Sequence, residues 1–339
     1  MTSEDLRHHG DRDTAPGMVD FAVNVWLPAP PRWLRDRLAA ALDRLATYPS
    51  EADDLAAREA VAQRHGRSPD EVMVLNGSAE GFALLPNLRP RLAAVVHPSF
   101  TEPEAALRTA GIPVHRVMLD GDYALRPGLV PDEADMVVIG NPTNPTSVTH
   151  PAAVIRALAR PGRLVVVDEA FMDAVPGEPE SLTGDPDVLV FRSLTKTWAL
   201  AGLRAGYVLG SPETLARLAI DRPQWPVGTL VLEAVTACCS PAAIAEAEDT
   251  ARTVIEYRAE FVAALRDAGI EVVAEPTAPF VLVRVPEGTR VRETLRDKKF
   301  AVRRGETFPG LSADHIRLAV RPPDQTARLL AAWPMEVPT

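Results

Sequence analysis

The chain has 339 residues, 46% of them apolar and 24% charged, enough for one large buried core and a smaller second one. Its net charge of -10 excludes nucleic acid or an anionic membrane surface as the main partner, yet leaves room for a local basic pocket. The two cysteines are the neighbours Cys238 and Cys239, which give neither a disulfide framework nor metal-ligand spacing. With no apolar leader in the first thirty residues and no run of about eighteen apolar residues, a cytoplasmic protein without a membrane span is expected.

Residues 1–30 read as an arm, polar at first and then stiffened by Pro28, Pro30 and Pro31. Leu34, Leu38, Leu42 and Leu45 recur at helical spacing and predict a helix over residues 32–46. A second helix is expected over 53–65. Short β-branched runs then alternate with helical stretches. Strands are expected at 72–75, 92–96, 114–118, 136–139, 164–167, 188–191 and 207–209. Helices are expected from Glu80, over 102–110, 152–159 and 212–220. The runs show little polar alternation, as in strands buried on both faces. That is the pattern of an α/β domain with a mostly parallel central sheet flanked by helices.

Residues 229–268 read as mostly helical, with one long helix from residue 242 to 268. Strands at 271–274, 280–284 and 315–320, with helices over 291–297 and 325–332, complete a small C-terminal α+β domain. The expected division is therefore an arm (1–30), a large domain (31–228) and a small domain (229–339). Residues 31–48 are free to pack with either.

The most informative stretch runs from Phe191 to Tyr207. It follows a buried strand and sets Lys196 among the hydroxyls of Ser193, Thr195 and Thr197, with Arg204 in a Gly-Leu-Arg-Ala-Gly setting. A lysine amine condenses with an aldehyde, and hydroxyls beside an arginine suit a phosphate. Together they suggest pyridoxal phosphate held as a Schiff base; the alternative is a solvated loop lysine.

Ligands of open parallel sheets bind at the carboxyl ends of the strands, and the other candidates all follow predicted strands. Asp168 closes Leu164-Val-Val-Val-Asp168, either as a turn cap or as the partner of a pyridine nitrogen. Asn144 lies in Gly140-Asn-Pro-Thr-Asn-Pro-Thr-Ser147, either in a pair of Asn-Pro turns or as donor to the cofactor's ring oxygen. Asn76-Gly-Ser-Ala-Glu-Gly81 joins a strand to a helix, where Ser78 and free backbone N–H groups suit an anion. Phe100, in Pro98-Ser-Phe-Thr-Glu102, belongs either to the core or against the face of the pyridine ring.

These motifs, in this order, resemble the fold-type I pyridoxal phosphate enzymes of the aspartate aminotransferase superfamily. Within it they resemble the branch of histidinol-phosphate aminotransferases and threonine-phosphate decarboxylases. The resemblance covers residues 8–330 and adds Asn24, Tyr48-Pro49 and His315-Ile-Arg-Leu-Ala-Val-Arg321 to the motifs above. It implies that Lys196 and Asp168 carry the chemistry. It also implies that Asn144, Phe100, Ser78, Ala79, Ser193, Thr195, Arg204 and Phe171 surround the cofactor. Tyr48 is implied to reach the cofactor phosphate of a neighbouring subunit, in a homodimer with shared sites. Arg317 is implied to clasp a substrate carboxylate, with Arg321 on a second anionic group and Asn24 beside them.

The arm bears on the reaction. Arg7-His-His-Gly-Asp11 and Asp20-Phe-Ala-Val-Asn-Val25 are similar to the arm of threonine-phosphate decarboxylases of the cobalamin pathway, with His8 matching a residue that binds the substrate's phosphate. Phe171 stands where the aminotransferases carry tyrosine. Trp26, Ala79, Ser147 and Pro279 also depart from the family pattern, and Trp26 and Pro279 stand at its substrate end. Decarboxylation of an O-phosphorylated amino acid such as threonine phosphate is the favoured expectation. The alternatives are an aminotransferase on an anionic amino substrate, or a pyridoxal phosphate protein with a remodelled pocket serving a specialised pathway.

Overall fold

The computed structural model describes residues 5–334, so residues 1–4 of the expected arm and 335–339 of the expected small domain lie outside the described residues. Strand β1 (Val19–Phe21) belongs to the arm, and helices α1 (Arg32–Ala41) and α2 (Glu51–His65) follow. Then come β2 (Val72–Leu75), α3 (Ser78–Leu84), β3 (Ala93–His97), α4 (Glu102–Thr109), β4 (Val114–Met118), β5 (Met136–Gly140) and α5 (Ala152–Arg156). Next are β6 (Leu164–Asp168), β7 (Val188–Ser193), β8 (Gly206–Leu209), α6 (Pro212–Leu218), α7 (Thr229–Cys238) and α8 (Pro241–Asp267). The chain ends through β9 (Glu271–Val272), β10 (Phe280–Arg284), α9 (Gly288–Asp297), β11 (Phe300–Arg304), β12 (His315–Ala319) and α10 (Pro323–Ala332).

A seven-stranded sheet runs in the order β2-β8-β7-β6-β5-β3-β4. Only β8 is antiparallel to its neighbours. The expected mixed α/β architecture is what the chain adopts, and the unbroken apolar runs explain it. Alternate residues of a strand face opposite sides. Val137, Val165, Val167 and Val190 enter one core, and Met136, Val138, Val166 and Leu189 enter the other. The register sets Gly140 beside Asp168 and Asp168 beside Phe191, so three strand ends open at one level.

A second sheet of five strands runs in the order β1-β11-β12-β10-β9. Two of these strands have no counterpart among the sequence expectations. In β11 the charged Arg303 and Arg304 interrupt the apolar pattern. In β1 only three residues of a polar arm pair, in parallel with β11. Helix α1 stops at Ala41 rather than near residue 46, because Leu42 and Leu45 find no core and are exposed. Helix α2 starts two residues earlier than expected, because Ser50 and Asp53 form a capping box.

Helix α7 packs through Val231, Leu232 and Val235 with Leu34, Val61, Val74 and Tyr207. The first turns of α8 (Ala243, Ala247) join that core, whereas Phe261, Val262 and Leu265 join the core of the five-stranded sheet. We propose that the domain boundary lies within α8 rather than after residue 228, and that α1 belongs with the large sheet.

Candidate active site

The carboxyl ends of β5, β6 and β7 border a cavity of about 570 Å³. Asp168, the last residue of β6, and Lys196, just beyond β7, both line it. Burial, reinforced by the charges of Arg317 and Arg204, lowers the Lys196 ammonium to about 8. Burial raises Asp168 to about 7, against the Ala170 N–H (3.1 Å) and the charge of Lys196. An amine that loses its proton near neutral pH is suited to attack a carbonyl and to carry protons.

A polar cup occupies one side, lined by Ser78, Ala79, Ser193, Thr195 and Arg204. Ser193 Oγ and Thr195 Oγ1 lie 2.7 Å apart, and Ser78 Oγ donates to the Arg192 carbonyl at 3.2 Å. Gly77 makes the cup possible. Its φ of +79° starts α3, and a Cβ there would lie 2.8 Å from Arg204 Nη2. Phe100 lines the cavity and packs against Phe82. Phe171 stands edge-on to Phe280, with ring centroids 4.8 Å apart.

The five-stranded sheet closes the other side. Arg317, on β12, donates from Nη1 to Asn144 Oδ1 at 2.7 Å and from Nη2 to the Ala22 carbonyl. Asn24 is buried and lines the cavity, and neither end of its amide has a partner. Arg303, on β11, also lines the cavity and was not anticipated from sequence. Burial lowers it to about 10, opposed by the carboxylate of Asp13. The short apolar run Phe300-Ala-Val directly before it was the signal available.

Several expected substrate residues sit elsewhere. Arg321 does not line the cavity: Nε, Nη1 and Nη2 all donate to backbone carbonyls, those of Asp20, Val25 and Val23. It fixes the segment carrying Asn24 rather than offering itself to an anion. His8 packs behind the wall on Asp13 (3.1 Å) and Arg304 (2.9 Å), and its neighbour His9 faces the cavity instead. His9 meets Glu102 at 2.5 Å and lies 5.3 Å from the Phe100 ring. Trp26 packs on Tyr257 and borders a smaller space behind Lys196, together with Pro279. Tyr48 is 73% exposed and stacks on Trp225, away from this cavity.

Beneath the cup lies a buried ionic web. Arg192 Nη1 donates to Glu169 (3.0 Å) and Glu178 (2.6 Å), and Nη2 donates to Asp173. Arg64 reaches Asp173 and Glu178, both at 2.9 Å. The web thus holds the residue after Asp168 and carries the strand that leads to Lys196.

Comparison with known proteins places this site in context. The family described as aminotransferase class I and II matches residues 16–332. A histidinol-phosphate aminotransferase of Mycobacterium tuberculosis is 57% identical over 318 residues, covering 93% of this chain and 87% of the relative. Threonine-phosphate decarboxylase of Salmonella typhimurium is 30% identical over 331 residues, covering 93% and 90%. The crystal structure of the histidinol-phosphate aminotransferase from Clostridium acetobutylicum superposes with a TM-score of 0.86 at 22% identity, covering 93% of this chain and 98% of that one.

The residues present fit pyridoxal phosphate. Lysine, aspartate, a cup of hydroxyls with an arginine, and an aromatic face line one cavity. Added side-chain carbon at Gly77 or Gly206 would crowd the cup, and the unpartnered Asn24 amide marks a polar wall without an internal partner. The chain belongs to the aminotransferase class I and II family, whose cofactor is pyridoxal phosphate.

Proposed function

We propose that the chain transfers the amino group of a phosphorylated amino substrate of the histidinol phosphate type. One observation carries the choice of substrate: two buried guanidinium groups, Arg317 and Arg303, line the same cavity as the Lys196 amine. That arrangement suits a dianionic phosphate, and a carboxylate of the partner amino acid, better than an apolar amine. The relative named an aminotransferase, at 57% identity, supports transfer. The 30% relative named a decarboxylase, together with the arm, gives decarboxylation weaker support.

When bound, the cofactor supplies an electron sink for bond-breaking at the substrate's α-carbon. Lys196 is its anchoring amine, and the Lys196 Nζ then takes up and returns the proton. Asp168 holds the ring nitrogen's charge. Asn144 is turned by Arg317 so that its Nδ2 is left to donate to the ring oxygen, where Phe171 brings no hydroxyl. Ser78, Ser193, Thr195 and Arg204 serve the cofactor phosphate. The exposed Leu42, Leu45, Tyr48, Ile220 and Trp225 support a homodimer in which Tyr48 serves the neighbouring site. The buried thiols of Cys238 and Cys239 suit a reducing cytoplasm.

The test is a paired assay of the purified, cofactor-loaded protein. Histidinol phosphate with 2-oxoglutarate should yield glutamate, and threonine phosphate should yield no carbon dioxide. Carbon dioxide without glutamate would overturn the proposal. Neither product, with normal cofactor absorbance, would move the protein to the class with a remodelled pocket.

A further inference from the structure

The turn that carries Asn144 ends on a residue in an unfavourable conformation. Ser147 has φ +64°, in the left-handed region that a residue with a Cβ adopts only at a cost, and it is fully buried. Its N–H donates to the Thr143 carbonyl at 2.7 Å, which closes the turn around Asn144. A residue strained in this way persists only where its surroundings hold it there.

What holds Ser147 belongs to the other sheet. Its Oγ accepts from the Ala278 N–H at 2.8 Å and donates to the carbonyl of the same residue at 3.3 Å. The Ser147 carbonyl accepts from the Thr277 N–H at 2.8 Å and from Thr277 Oγ1 at 2.7 Å. Thr149 Oγ1 meets Thr277 Oγ1 at 2.6 Å, and Arg258 on α8 donates to the Thr277 carbonyl at 2.5 Å. Residues 277 and 278 lead directly into β10, whose Phe280 stands against Phe171 and whose Leu282 is paired with Arg317 on β12. The turn is therefore fixed twice to the five-stranded sheet, by Arg317 at Asn144 itself and by the clamp three residues on.

The two ties do different work. The Arg317 bond sets which way the Asn144 amide faces. The clamp at Ser147 ends on backbone and sets how far the turn stands from β12. Glycine would suit the φ better, so the hydroxyl is what serine adds at this place. We propose that Ser147 is a positioning residue that spaces Asn144 from Arg317, so that one amide meets both the guanidinium and the cofactor's ring oxygen. This rests on the reading of Asn144 as the donor to that oxygen.

The experiment titrates the cofactor's absorbance against pH in the loaded wild type, Ser147→Gly, Ser147→Ala, Asn144→Ala and the double variant of Ser147→Gly with Asn144→Ala. Glycine removes the hydroxyl and relieves the backbone, whereas alanine removes the hydroxyl and keeps the strain. A donor to the ring oxygen favours its ionised form, so Asn144→Ala should move the midpoint of the absorbance change. Both Ser147 variants should move it in the same direction by a smaller amount. Ser147→Gly should add nothing once residue 144 is alanine. In either Ser147 variant kcat/KM should fall by roughly 2- to 10-fold, the range of one neutral hydrogen bond. A midpoint that moves in Asn144→Ala but in neither Ser147 variant would overturn the inference alone. A shift confined to Ser147→Ala would also overturn it, by assigning the effect to strain, as would a full further shift in the double variant. An unmoved midpoint in Asn144→Ala would reject the role of Asn144 and the inference with it.

Discussion

Arg317 Nη1 donates to Asn144 Oδ1 at 2.7 Å, joining the residue expected on the substrate to the one expected on the cofactor ring. The bond fixes the orientation of the amide: its oxygen is taken, so its N–H groups face elsewhere. It also ties the five-stranded sheet to the loop after β5. Asn144→Ala should therefore lower kcat/KM by roughly 10- to 100-fold, the range for a lost hydrogen bond to a charged group. Arg317→Lys keeps the charge but loses the planar fork, so it should act mainly by raising KM for glutamate and 2-oxoglutarate. In the double variant the losses should fall short of the sum. Strict additivity would show that the bond plays no part in turnover.

Gly77 offers a test of the phosphate cup that removes none of its polar groups. Gly77→Ala imposes φ +79° on a residue with a Cβ and puts that Cβ 2.8 Å from Arg204 Nη2. With ψ at 159° this backbone lies in a region that is essentially glycine-only, and the strain alone costs about 1–3 kcal/mol. Displacement of Arg204 should add a loss of cofactor affinity, measurable as faster release on dilution. A variant that is less stable yet holds the cofactor as tightly as wild type would separate Gly77 from the cup.

Much of this site was legible because its residues lie within a few positions of strand ends, and the strands are unbroken apolar runs. Asp168 closes Leu164-Val-Val-Val, and Lys196 follows β7 in the same way. Residues whose role depends on direction were not legible. Arg317 and Arg321 lie four apart, yet one faces the cavity and the other clamps carbonyls of the arm. His8 and His9 are neighbours, and the turn at Gly10–Asp13 decides which of them faces inward. Strand β11 was hidden because a buried arginine, Arg303, breaks an apolar pattern just as a surface arginine would.

The ionic web beneath the cup should be costly to break. Arg192 is 1% exposed and serves three carboxylates, those of Glu169, Asp173 and Glu178. Arg192→Met leaves buried negative charge that Arg64 alone does not balance. The expected loss is about 3–5 kcal/mol in urea unfolding. Glu178→Gln should cost less, because Glu178 is partly exposed and its removal leaves fewer uncompensated charges. Equal losses for the two variants would mean that the web acts through packing rather than charge.

Acid should destabilise the fold through its buried histidines, which together outweigh the opposite contribution of Asp168, a carboxyl that burial raises to about 7. Burial, with the charges of Arg192 and Arg64, holds His65 down at about 2, and burial holds His150 at about 4. Both stay neutral in the folded chain while the unfolded chain binds protons near pH ~6.5. Below that pH the unfolded state therefore takes up more protons, and stability falls as pH drops. The fully developed slope is about 1.4 kcal/mol per pH unit for each histidine. The urea midpoint should thus be lower at pH 5 than at pH 7. His65→Gln should start less stable at pH 7, because the buried Tyr207 hydroxyl loses a partner at 2.9 Å. It should nevertheless lose less between the two pH values than wild type does. A variant that loses as much as wild type would show that His65 is not among the groups through which acid acts.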